Sequence, residues 1–132
     1  MIWGYCKKTE NSRYTALHLP LASHPHALVT GSSGSGKSYA LVYLLGMLFQ
    51  ESDDIELYIL DFKNSEDFEF LSGYKHYFTA DECYDGVMEY YEKFTERRRN
   101  RNSKKRMLLI YDEYPSSLSY FGGIDKRDKT KK

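Results

Sequence analysis

An eight-residue run, GSSGSGKS at residues 31–38, stands between two apolar segments and constrains this chain more than any other part of it. It meets the spacing G-x-x-x-x-G-K-[ST] at Gly31, Gly36, Lys37 and Ser38. Glycine accepts backbone angles that other residues resist, so consecutive amide N–H groups can curl around an anion. A helix opening directly after the loop turns its unsatisfied donors and partial positive charge on the same point. The predicted order is a short buried strand at ALVT (27–30), a phosphate-binding loop, and a helix from about Lys37 to Gln50. Gly31, Ser32, Ser33, Gly34, Ser35, Gly36, Lys37, Ser38 and Tyr39 are the expected nucleotide contacts. Lys37 is placed to reach the β- and γ-phosphates, and the Ser38 hydroxyl to ligate Mg²⁺. A Gly/Ser linker that matched by accident would not be framed by an apolar strand and an apolar helix.

The remaining segments alternate. IWGYC and RYTALHL near the start read as a small hairpin. IELYILDF (55–62) has the continuous apolar character of a parallel strand covered on both faces. SEDFEFL suits a short helix and HYFT a short strand. A longer helix starts at Asp81. Its Tyr84, Val87, Met88, Tyr91 and Phe94 recur at spacings of three and four and are expected to face the core, with Gly86 a slight weakness. RMLLIYDEYP is a further buried strand, stopped by Pro115. Strands alternating with helices imply an α/β fold with a mainly parallel sheet.

That last strand ends on two acids. Asp112 falls at the carboxyl end of the sheet, where open α/β sheets bind ligands, and is expected to hold Mg²⁺ as the Asp of a Walker B strand does. Glu113 is expected to orient and deprotonate the water that attacks the γ-phosphate. Asp61 and Lys63 end the preceding long strand on the same edge.

The formal net charge of zero conceals a division. Residues 51–96 hold fourteen acidic and three basic groups, whereas RRRNRNSKKR (97–106) holds seven basic and no acidic ones. The basic run is expected to form a loop, and Arg97, Arg98, Arg99 and Arg101 are its candidates for phosphate contact. No aromatic residue interleaves them, which argues against stacking on single strands. The longest apolar run, Tyr39 to Phe49, is shorter than a membrane span, and the first residues lack the apolar core of a secretory signal. A cytoplasmic setting follows, with Cys6 and Cys83 as reduced thiols.

The order HALVTGSSGSGKSYAL, IELYILDFKN, VMEYYEKFTERRRN, MLLIYDEYP resembles the FtsK/SpoIIIE-like (HerA/FtsK) branch of P-loop motor ATPases, over about residues 15 to 115. That branch carries a D-x-K after the strand that follows the P-loop helix, matched by Asp61-Phe62-Lys63, and a helix with an E-M-x-x-R-Y-like signature before Walker B, to which VMEYYEKFTERRRN is similar in character, acidic and aromatic first and then arginine-rich. The resemblance implies a RecA-like fold, ATP and Mg²⁺ as cofactors, double-stranded DNA as partner and a homo-oligomeric ring. Lys37, Ser38, Asp112 and Glu113 carry over as the ATP and Mg²⁺ residues, with Asp61 and Lys63 as family-motif positions.

The family pattern continues after Walker B through a strand with a polar sensor residue, which does not follow Pro115 here. The expected organisation is a hairpin and loop (1–25), a partial, C-terminally incomplete ATPase core (26–119) and a basic tail (120–132). Two further functions share these motifs: a nucleotide-binding interaction module with little turnover, and a phage-assembly or secretion ATPase.

Overall fold

The computed structural model describes residues 2–7, 14–18, 20, 23–51, 54–100 and 105–129. The chain divides into two compact units, Met1–Leu44 and Leu45–Lys132. No described helix is long and apolar enough to cross a membrane.

In the first unit, β1 (Ile2–Lys7) and β2 (Tyr14–His18) pair antiparallel, from Ile2 opposite His18 to Lys7 opposite Tyr14. This is the hairpin expected of IWGYC and RYTALHL. The expectation for ALVT fails: residues 24–32 carry neither strand nor helix, and Leu28 is 87% exposed. A run of four residues is held extended by a neighbouring ladder rather than by its own propensity, and no described strand pairs with it. Helix α1 (Lys37–Glu51) starts on the loop lysine and continues into the second unit, with Leu44, Leu45 and Leu48 buried along one face.

The second unit is built on three parallel strands in the order β4-β3-β5: β3 (Ile55–Asp61), β4 (Tyr77–Thr79) and β5 (Arg106–Asp112). The central β3 is fully buried from Leu57 to Asp61, as its continuous apolar character requires. It stays in register with β5 along its whole length, from Ile55 opposite Arg106 to Asp61 opposite Asp112. A 3₁₀ turn (Glu66–Leu71) anchored by buried Phe68 and Leu71 links β3 to β4. Helix α2 (Glu82–Arg99) joins β4 to β5, and α3 (Tyr114–Lys129) follows β5. Pro115 therefore does not open a loop but lies in the first turn of α3. There the missing N–H costs nothing and the fixed φ suits the helix.

α2 presents a different face to the sheet from the one its periodicity predicts. Cys83 and Gly86 are buried, while Tyr84, Met88, Tyr91 and Phe94 are 54%, 41%, 60% and 43% exposed. The cause is Gly86. A Cβ placed there would lie 2.7 Å from the Phe78 ring and 3.0 Å from Leu60 Cδ2, so the bare backbone lets α2 sit directly on β3 and β4. The displaced aromatics find lateral partners instead: Tyr84 meets Phe121 at 5.6 Å between ring centroids, and Phe94 stacks on Tyr90 at 6.1 Å.

Beyond Gly86 the contact between α2 and the sheet is polar. Tyr58 Oη donates to Glu89 Oε1 (3.2 Å), and Lys93 Nζ donates to Glu56 Oε1 (2.9 Å). His76, buried and stacked on Tyr58 at 4.2 Å, lies 3.4 Å from both Glu56 and Glu89. Burial, and then the charge of Lys93, hold the imidazole below its ordinary 6.5 against the pull of Glu89 and Glu56. Protons therefore bind the unfolded chain first, so the contribution of His76 to stability is complete above pH 6.5 and is lost as pH falls below it. Glu56, whose carboxyl the Lys93 hydrogen bond holds below its ordinary 4.5, loses its contribution below that value. The urea midpoint should fall as pH is lowered from 7 to 5. His76→Gln should flatten that limb while leaving the loss below 4.5 in place.

Candidate nucleotide-binding site

In the first unit the loop is shaped by its glycines. Gly34 and Gly36 adopt φ of 76° and 89°, where side chains are strained, and a Cβ on Gly31 would collide with Ser35 Oγ. Ser35 N–H donates to Ser32 O at 3.1 Å, closing a tight turn, and Ala40 N–H donates to Gly36 O at 3.0 Å as α1 begins. Lys37 Nζ folds back to donate to Gly31 O (2.7 Å) and Ser32 O (3.0 Å), which pins the ammonium over the loop. Ser32, Ser33, Gly34 and Ser35 are exposed and Gly36, Lys37 and Ser38 half-buried, so the donors of the loop are reachable by a ligand. Tyr39, 78% exposed, projects from the first turn of α1.

In the second unit the carboxyl edge of the sheet brings Asp61 and Asp112 together as register partners. Glu113 follows with φ 57°, a left-handed conformation that costs a residue other than glycine about 1 kcal/mol. The turn is held on three sides. Glu113 N–H donates to Asp112 Oδ1 (3.1 Å), Glu113 O accepts from Ser117 N–H (3.1 Å), and Glu113 Oε2 accepts from Ser116 Oγ (3.3 Å). Such a bend turns the chain from β5 into α3 within one residue.

Asp61 is fully buried. Its Oδ2 accepts from Ser65 N–H (2.8 Å) and from Tyr77 Oη (3.0 Å), tying together the end of β3, the following turn and β4. Its Oδ1 and the nearby Ser65 Oγ are buried without a hydrogen-bond partner. Burial, and then the Asp61 hydrogen bond, push the Tyr77 phenol well above its ordinary 10, so it remains a donor. Burial with Asp61 beside it raises the Cys83 thiol to about 12, so this cysteine is an inert core group. Lys63 is exposed in the turn.

The basic run is separated from this edge. α2 runs back along β3, with Gly86 over Leu60 and Lys93 at Glu56, so Arg97, Arg98 and Arg99 come to the amino end of the sheet. The length of β3, roughly 20 Å, divides them from Asp61. They form the last turn of α2 rather than a loop, with Arg98 and Arg99 exposed and Arg97 half-buried. Arg101 lies outside the described residues. Tyr77, Ser65 and Ser116 are not legible as site residues in the sequence, because each acts through a fold contact that no local spacing announces. Asn64, a residue tolerant of the αL conformation it adopts, is a local signal at this edge.

In the first unit the loop amides and the Lys37 ammonium are donors of the kind that suits a phosphate, and in the second the carboxylates of Asp61 and Asp112 are hard oxygens of the kind Mg²⁺ prefers. A glycine-shaped phosphate loop opening a helix, with an Asp-Glu pair ending a parallel strand, defines a P-loop NTPase with a RecA-like α/β core. The model of the FtsK/SpoIIIE family matches residues 10–115, and the chain belongs to that family. No curated protein and no solved structure matches it.

Proposed function

We propose that this chain is the ATP-binding core of a cytoplasmic FtsK/SpoIIIE-type motor that couples ATP hydrolysis to movement of double-stranded DNA within a homo-oligomeric ring. The observation that carries the reading is the complete P-loop, with Lys37 pinned over its own carbonyls, in a chain whose family match extends through the Asp112–Glu113 pair. The loop amides and Lys37 hold the β- and γ-phosphates. Ser38 and Asp112 hold Mg²⁺, which when bound supplies positive charge against the phosphoryl oxygens. Glu113 takes the proton of the attacking water. Chromosome segregation and mobile-element transfer are the settings in which such a motor acts.

ATP with Mg²⁺ should raise the melting temperature of the full chain, by a free energy of about 2.7 kcal/mol at a hundredfold excess over Kd. Lys37→Ala should abolish that shift and leave the melt without nucleotide unchanged within about 0.5 kcal/mol. Duplex DNA should stimulate phosphate release from the wild-type chain. A chain that binds ATP while showing neither duplex binding nor stimulation would overturn the motor reading and leave a nucleotide-binding module.

A further inference from the structure

Helix α2 carries on its outer side a stripe that the sheet does not use. Tyr84, Met88, Tyr91 and Thr95 follow one another at spacings of four, three and four, the alternation of a seam between two helices. Tyr84, Met88 and Tyr91 are 54%, 41% and 60% exposed, because the bare backbone at Gly86 has taken the inner side. Full burial of a tyrosine removes about 150–250 Å² from water, so each of the two rings still has roughly 100 Å² to bury. Tyrosine and methionine are also the types enriched where proteins meet. Toward its C-terminal end the stripe borders a groove lined by Tyr91, Glu92, Thr95, Glu96, Arg99 and Asn100.

Charge indicates what fits this stripe. α2 is acidic at its start, at Asp81, Glu82 and Asp85, and basic in its last turn, at Arg97, Arg98 and Arg99. A second α2 laid parallel would set like charge on like, whereas an antiparallel one sets the acids of each against the arginines of the other. The spacing makes this specific. Asp85, Glu92 and Arg99 recur every seven residues, so all three share one flank of the stripe, and the outer two stand equally far from Glu92. A two-fold axis near Glu92 maps that flank onto itself in reverse. Arg99 of each copy then meets Asp85 of the other, and Tyr84 of the second copy falls over the groove.

We infer that the outer face of α2 is a docking surface for a second copy of this chain, seated antiparallel about a two-fold axis near Glu92. The contact is self-complementary, with the same patch used on both copies. It joins two copies and stops, so it is separate from the head-to-tail contacts that close a ring, and it does not depend on the ATP site. The tyrosines and Met88 supply the buried area, and the Asp85–Arg99 pairs fix the antiparallel direction, as flanking charges do in paired helices. Glu92 is the one group this arrangement strains, because it lies beside its own copy across the axis.

Sedimentation velocity of the full chain without nucleotide, over a range of concentrations, should show reversible pairing. Asp85→Arg and Arg99→Asp should each raise the dissociation constant about 10-fold or more, since each sets like charges together on both sides of the axis. Both residues are exposed, so a urea melt of either variant should keep the cooperative wild-type transition. The double variant should pair within about threefold of wild type, and so should an equimolar mixture of the two single variants, because both restore opposite charges. Glu92→Gln should tighten the pair. Tyr91→Ala, which alters no charge, should weaken it about 10-fold or more. A wild-type chain that stays monomeric at its highest soluble concentration overturns the inference. Pairing that the single substitutions leave unchanged, or that the mixture of weakened variants fails to restore, overturns it as well and places the contact elsewhere on the molecule.

Discussion

Replacing Glu113 by glutamine is expected to leave ATP bound while cutting its hydrolysis by about 10²–10⁴-fold, the usual contribution of a positioned general base. Glutamine keeps the shape of the side chain and an oxygen able to accept from Ser116 Oγ, but it cannot take a proton from water. The fold should barely respond. The left-handed φ of 57° remains as strained as before, and loss of a negative charge at the start of α3 costs about 0.3–1 kcal/mol. Single-turnover phosphate release with radiolabelled ATP reads the rate, and a urea melt reads the stability. A Glu113→Gln chain that hydrolyses ATP at the wild-type rate would remove Glu113 from the chemistry, whatever the P-loop binds.

The largest effect on stability should come from Gly86→Val, a loss of about 3 kcal/mol. The first added carbon would already sit 2.7 Å from the Phe78 ring, and two further methyl groups would have to enter the same gap against Leu60. α2 must then lift from β3 and β4, which also loosens the Tyr58–Glu89 and Lys93–Glu56 contacts further along the helix. Gly46 is the control. It is a helical glycine in α1 where an added Cβ would have nothing within 4 Å, so Gly46→Ala should stabilise by about 0.5–1 kcal/mol through helix propensity alone. Chemical denaturation of both variants gives the comparison. Equal melts for Gly86→Val and wild type would show that the close contact between helix and sheet is absent.

Much of the architecture is legible in the sequence because it is written in local chemistry. The loop at 31–38 has glycines where the backbone turns left-handed, and the continuous apolar run of 57–60 announces a strand buried on both faces. The hairpin, α1, the 3₁₀ turn, β4 and β5 follow their segments closely. Arg97, Arg98 and Arg99 extend α2 where a loop was expected, and two further segments depart from their local signals. The strand expected at ALVT needs a partner that four residues cannot supply for themselves, and α3 begins where Pro115 reads as a stop, because a proline suits a first turn as well as a loop.

The amino-acid sequence by itself determined the phosphate loop, the acids at the strand end and the alternation of strand and helix, since spacing and backbone preference act over a few residues. Only the tertiary structure decided which side of α2 is the inside. Hydrophobic periodicity favoured the face of Tyr84, Met88 and Tyr91, but burial rewards the closest approach, and the missing side chain of Gly86 allows a closer one. Tertiary structure likewise carried Arg98 and Arg99 to the opposite end of the sheet from Asp112, because α2 runs back along β3. It also left Asp61 with one oxygen hydrogen-bonded to Tyr77 and the other buried without a hydrogen-bond partner, which depends on strand order and register that no spacing along the chain encodes.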